Sequence, residues 1–228
     1  DRQWGPVRED YSADGNAWGS FPFGQSHLRT YRWGEDGLLG ISDMRGILSF
    51  APVLWNGRDS ILKERLFGLG NPEGNHGEDI KDTMYHLAGT PTCSYAKALY
   101  RYPQNPFPYQ LLRDENQRRS RQELEFELVD TGIFANNRFF DMEVEYAKEG
   151  AEDLLIRFTI TNHGDEPADL HVLPTLWYRN TWSWGDRHSH RPHLHLNRDN
   201  LVRDATRGMG AYELSCSERG TWLFTENE

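Results

Sequence analysis

The residue types best suited to chemistry concentrate in one segment, residues 55–79, which reads WNGRDSILKERLFGLGNPEGNHGED. Five glycines are interleaved there with Asn, His, Arg and carboxylates rather than with Ser and Lys, so the segment does not read as a flexible linker. Glycine lets backbone approach a ligand, while Asn71, Asn75, His76, Glu78 and Asp79 supply donors and acceptors along one ordered loop. That combination suits a polyhydroxylated ligand. The competing reading is a structural loop whose polar side chains bond its own backbone. The segment lacks the GxxxxGK[ST] pattern of a phosphate-binding loop.

Three other groups invite chemistry. Eight tryptophans are a heavy load, and Trp177, Trp182 and Trp184 cluster in LWYRNTWSWGD with Tyr178, Arg179 and Asn180. Aromatic rings stack on the apolar faces of sugars while amides and guanidinium groups bind hydroxyls. Trp177 reads as core, whereas Trp182 and Trp184 stand beside Gly185 and Asp186, beyond the end of a strand. His188, His190, His193 and His195 raise a metal hypothesis, since HxH on a strand puts two imidazoles on one face. Pro192 breaks that register and no third ligand pattern follows, so no metal and no cofactor are expected. Glu35–Asp36 and Glu78–Asp79 are carboxylate pairs, but glycoside hydrolysis needs two carboxyl groups about 5–5.5 or about 6.5–9.5 Å apart across a bond, which adjacency does not supply. A solvated face is the simpler reading of both pairs.

The elements that must hold these groups are mainly strands. Leu124, Phe126 and Leu128 alternate with Glu123, Glu125 and Glu127, a period of two that predicts a half-buried strand. The same period recurs in Phe140, Met142, Val144 and Tyr146, and again in Leu154, Ile156, Phe158 and Ile160. A turn-rich NHGDEPA then leads to a strand over 170–178, which suits antiparallel neighbours. Apolar runs at 38–50 and 212–224, the latter broken at Gly220, add strands at the two ends. Residues 57–121 read as irregular, punctuated by Pro72, Pro91, Pro103, Pro106 and Pro108. Within them Tyr95, Ala98, Leu99 and Tyr102 fall at helical spacing, 111–121 is a second helix candidate, and 80–88 fits helix or strand.

Composition narrows the function classes. The chain has 228 residues, and 35 acidic against 25 Lys and Arg side chains leave a formal charge of −10, so a polyanion meets repulsion and nucleic acid is not an expected partner. The longest apolar run, 48–55, contains Ser49 and Pro52 and falls well short of the roughly 18 residues of a membrane helix, so no membrane partner is expected. Cys93 and Cys216 are too few for a disulfide scaffold and read as buried thiols, which leaves the compartment open. A soluble, cytoplasmic protein is the working expectation. With no initiator Met or signal-peptide pattern before the polar DRQWGPVRED, the chain reads as a piece of something longer.

Taken as a set, RWGEDGLLGISD (32–43), the loop sequence at 54–79, TPTCSYAKALYRYPQNPFPY (90–109), ELVDTGIF (127–134) and LPTLWYRNTWSWG (173–185) resemble the N-terminal part of bacterial glucosidase-like proteins of glycoside hydrolase family 63. The resemblance covers residues 2–185. It implies a large antiparallel β-sandwich in front of an (α/α)6 barrel, in a family of inverting, exo-acting α-glycosidases that includes processing α-glucosidases and mannosylglycerate-type hydrolases. The family's catalytic acid and base sit on the barrel, so no residue of this chain is assigned a catalytic role and the chain alone is expected to be inactive.

The expected fold is therefore an all-β super-sandwich, a single domain over 1–228 with an irregular, partly helical insertion at about 57–121. Its expected partners are an oligosaccharide or α-glucoside and the barrel of its own polypeptide. Trp55, Arg58, Asn71, Asn75, His76, Glu78, Asp79, Arg179, Asn180, Trp182 and Trp184 are the candidates to line the substrate pocket or the interdomain surface. A stand-alone carbohydrate-binding or structural module is the alternative.

Overall fold

The computed structural model describes residues 37–43, 47–70, 73–76, 79–180, 182, 191–197, 200–203, 210–218 and 220–225, with three two-residue strands before them. The chain divides into two compact units, Asp1–Leu176 and Trp177–Glu228. The fold is all-β and sandwich-like, with most strands in two antiparallel sheets and little helix.

β1 (Trp4–Gly5), β4 (Ile41–Asp43), β5 (Leu48–Trp55) and β12 (His171–Tyr178) form one sheet in the order β1-β4-β5-β12. The second sheet runs β11 (Leu154–Asn162), β10 (Phe139–Lys148), β9 (Tyr95–Pro103), β8 (Thr83–Gly89). Short ladders join β2 (Arg8–Glu9) to β3 (Gly19–Ser20) and β6 (Gly68–Leu69) to β7 (Asp79–Ile80). The second unit holds a three-stranded sheet of β13 (Leu194–Asn197), β14 (Asn200–Arg203) and β15 (Tyr212–Leu214).

The period-two pattern explains the second sheet. Phe140, Met142, Val144 and Tyr146 of β10 are buried beside Ala98, Tyr100 and Tyr102 of β9. The opposite face carries a cross-strand ladder of charges: Arg101 pairs with Asp141 at 2.8 Å, Lys97 with Glu143 at 2.8 Å and Arg157 with Glu145 at 2.6 Å. Phe50 of β5 stacks on Phe158 of β11 at 6.3 Å, and Tyr146 donates to the Leu39 carbonyl at 2.7 Å, linking the two sheets. Leu39 holds a left-handed φ of 48°, unusual for a branched side chain, within the turn that this buried phenol fixes. Pro52 lies inside β5 beyond Ser49 and Phe50, the residues that pair with β4.

Several local expectations fail for physical reasons. Residues 95–102 are not a helix but most of β9. Tyr100 and Tyr102 share its buried face with Ala98, and apolar side chains on both faces mimic a helical spacing. Residues 57–121 are likewise not an irregular insertion, since β6 to β9 lie within them and β8 and β9 are half of the second sheet. The ambiguous 80–88 is largely β8, and the candidate at 111–121 is helix α1 (Tyr109–Arg118). After the turn at 163–170 the chain crosses to the other sheet, so β11 and β12 are not ladder neighbours. At the C-terminal end Tyr212–Leu214 is the strand among the described residues of 212–224.

The alternating segment at 123–128 forms no strand, and it ends in a short 3-10 turn, Leu128–Thr131. Its ladder partner is a side chain. The buried Asn116 of α1 donates to the Phe126 carbonyl at 2.9 Å and accepts from the Phe126 N–H at 2.9 Å, as a neighbouring strand would. Phe126 packs on the small core of Phe107, Leu112 and Leu128. Asn116→Ala is expected to lower unfolding free energy by about 1–3 kcal/mol in denaturant titration, because it strips a backbone donor and acceptor of their partner. A loss of only a few tenths would show that water replaces the amide.

Candidate functional site

The glycine-rich segment is two structures in sequence. Its first part, at the end of β5, is a tight turn built on Asn56. That buried side chain accepts from the N–H groups of Arg58 at 2.9 Å and Asp59 at 2.7 Å, and donates to the carbonyls of Pro103 at 2.7 Å and Asn105 at 3.1 Å. Gly57 sits between them at φ 73°, a left-handed position that favours glycine. Trp55 donates its indole N–H to the Asp59 carbonyl at 3.0 Å, and its ring lies 5.2 Å from that of His171 at the start of β12. Arg58 is exposed.

The second part is the connection between β6 and β7. Three of its side chains, together with Lys81 just past β7, fasten it to α1 and to the segment that follows. Glu73 pairs with Arg113 at 2.9 Å, and Asn75 donates to the carbonyls of Ser120 at 3.1 Å and Glu123 at 3.0 Å. The His76 Nε2 lies 2.7 Å from the Glu123 carbonyl, and Lys81 reaches Glu125 at 2.8 Å and Glu127 at 3.0 Å. Asn75 is buried and His76 exposed. Much of this loop's polarity thus serves to hold the loop on its support. Asn71 and Glu78 lie outside the described residues. For Asp79 the backbone is placed, in register with Leu69.

The candidates in the second unit form their own group. Arg179, Asn180 and Trp182 are half-buried, and the Arg191 guanidinium stands 5.8 Å from the Trp182 ring. Trp184 lies outside the described residues, as do His188 and His190, while His193 and His195 are exposed. No group of three or more His, Cys, Asp or Glu among the described residues is placed to hold a metal ion. Cys93 is half-buried and Cys216 exposed, so the expectation of two buried thiols is corrected.

Sequence reasoning missed a concentrated buried polar network among the described residues of 55–82. Asp82 accepts from Tyr100 at 2.6 Å and from the Phe67 N–H, and pairs with Lys63 at 3.2 Å. Both side chains of that ion pair are at most 1% exposed. The Lys63 ammonium also sits 3.8 Å from the Phe107 ring centroid and 4.8 Å from that of Tyr109. Asp59 accepts from Tyr102 at 2.9 Å and Tyr109 at 3.0 Å. Burial first, and then the adjacent Asp59 carboxylate, push the Tyr102 and Tyr109 phenols above their ordinary range. Burial likewise raises Tyr100, reinforced by Asp82.

These carboxylates are spent on internal donors and have no open face toward a substrate. As an acid–base pair for hydrolysis they would need access to a bond and to water, so their chemistry is structural. The only sequence signal was the pair of tyrosines two apart in β9, which reads as core but not as a pair of phenol donors.

The described architecture defines a class: an all-β, sandwich-like domain with a side-chain-fastened glycine-rich loop. Uncharacterized protein YMR196W of Saccharomyces cerevisiae is 45% identical to this chain over 205 residues, which is 85% of this chain and 19% of that protein. The chain therefore spans about a fifth of that relative's length. No family model matches the chain, and no solved structure matches it. Among the described residues no helix is long and apolar enough to cross a membrane.

Proposed function

We propose that this chain is the N-terminal domain of an inverting, exo-acting α-glycosidase, one that packs on a catalytic barrel and helps to shape its sugar pocket. The observation that carries the reading is the architecture: two antiparallel four-stranded sheets, the kind of domain that the resemblance to glycoside hydrolase family 63 implies ahead of the barrel. The much longer yeast relative is compatible with a further domain. The catalytic acid and base belong to the barrel in this reading, in keeping with the way Asp59 and Asp82 are consumed by phenols and Lys63.

Within the domain, the exposed Arg58 and the half-buried Trp55 on one turn, and the loop around Asn75 and His76, are the parts offered to the pocket rim. Arg179, Asn180 and Trp182 are the corresponding candidates of the second unit. The test is turnover of aryl α-glucosides and α-linked oligosaccharides by the full-length protein and by residues 1–228 alone. The full-length protein is expected to hydrolyse at least one of them and the isolated chain none. Saccharide binding by the isolated chain with an inactive full-length protein would favour a carbohydrate-binding module instead.

A further inference from the structure

The two outer strands of the second sheet are not equivalent. Free strand edges invite pairing with other chains, and proteins ordinarily blunt them with bulges, prolines, charges or short length. On one side β8 carries a register shift between His86 and Ala88. In the opposing sheet the outer strand β12 contains Pro174. β11 has no bulge and no proline, and it is not short. It is nine residues long, LLIRFTITN, and stays in unbroken register with β10 from Phe140↔Asn162 to Lys148↔Leu154.

The side chains of β11 point the same way. Leu155 is 59% and Ile160 40% exposed, so apolar groups stand in solvent on both faces of one strand. Its single ionisable residue, Arg157, pairs with Glu145 of β10 at 2.6 Å. Among the described residues no strand pairs with its outer edge.

We propose that this edge pairs antiparallel with β11 of a second copy of the chain, about a two-fold axis at Phe158. In an antiparallel ladder, directly opposite residues share a face. That centre sets Ile156 opposite Ile160 and Phe158 opposite Phe158 on the inner face, with Leu155 opposite Thr161 and Arg157 opposite Thr159 on the outer. No like charges meet. A centre one residue earlier, at Arg157, would oppose two arginines, and one residue later, at Thr159, would set Ile156 opposite the polar Asn162; the Phe158 centre does neither. The interface is isologous and closes at two copies.

Sedimentation of the 228-residue chain across a micromolar concentration series tests this, with reductant present because Cys216 is exposed. Dimer is expected, with amide hydrogen exchange at 154–162 slowing as concentration rises. Thr159→Lys sets a cation opposite each Arg157 and is expected to weaken the dimer about tenfold. Thr159→Asp sets a carboxylate there and is expected to tighten it. Residue 159 is exposed, so both variants are expected to keep the circular dichroism of the parent. A monomer throughout, a dimer that neither substitution moves, or amides at 154–162 protected only in a longer polypeptide that remains monomeric would each overturn the proposal. None of these readouts depends on glycosidase activity.

Discussion

Asp82→Ala is expected to be the most damaging single substitution in the first unit, lowering unfolding free energy by about 3–5 kcal/mol. The carboxylate answers three donors at once: the Lys63 ammonium, the Tyr100 hydroxyl and the Phe67 N–H. Its removal leaves a charged lysine, 1% exposed, with only the rings of Phe107 and Tyr109 for company. A cation–π contact contributes about 0.5–2 kcal/mol, less than the cost of an uncompensated buried charge, so the rings do not rescue it. The double change Lys63→Met with Asp82→Asn removes both charges and is expected to recover a substantial part of the loss. Denaturant titration of the single and double variants decides: equal destabilisation would show that the charge is not what makes Asp82 expensive to lose.

Alkaline pH is expected to unfold the protein cooperatively. Tyr100, Tyr102, Tyr109 and Tyr146 are held above the ordinary phenol value of 10.0, by burial first and, in the first three, by carboxylates next to them. A group whose folded pKa exceeds its unfolded one contributes stability that is complete below the unfolded value and is lost as pH rises toward the folded value. The unfolded chain releases these protons first, so stability falls from about pH 10 upward, by up to about 1.4 kcal/mol per pH unit for each such tyrosine. Four together erode a typical domain stability of about 5–15 kcal/mol within a few pH units. Phenolate absorbance is expected to rise in two stages, exposed tyrosines first and the buried ones together with loss of near-ultraviolet circular dichroism. A single smooth titration of all ten tyrosines near pH 10 with the fold intact would contradict the buried network.

β10 and β11 of the second sheet were legible because apolar and polar residues alternate along them. Met142 and Glu143 announce opposite environments whatever lies around them, and the charges of β10 meet their partners on β9 and β11 where the alternation puts them. β9 was not legible: AKALYRY is apolar at both odd and even positions, so short-range spacing fits a helix as well as a strand. The segment around Phe126 carries a true strand pattern, but its partner is the amide of Asn116, ten residues back on a helix, which no period reveals.

Candidate site residues were harder still. Asn75 and His76 were singled out by type, and the structure places both against the carbonyl of Glu123, a tertiary contact 47 or 48 residues distant in sequence. Nothing in the sequence marks Lys63 and Lys81 as buried, because a lysine is buried only when a carboxylate from elsewhere meets it. Asp82, Glu125 and Glu127 are those carboxylates, and the last two belong to the alternation that looked like the wet face of a strand.

The anomeric configuration of the first sugar released by the full-length protein from an α-glucoside, followed by proton NMR before mutarotation, tests the proposed function most directly. Inversion through a water activated on the face opposite the leaving group delivers the β-anomer first, and that is the result expected here. Initial release of the α-anomer, the signature of a retained configuration, would contradict assignment of this domain to an inverting α-glycosidase.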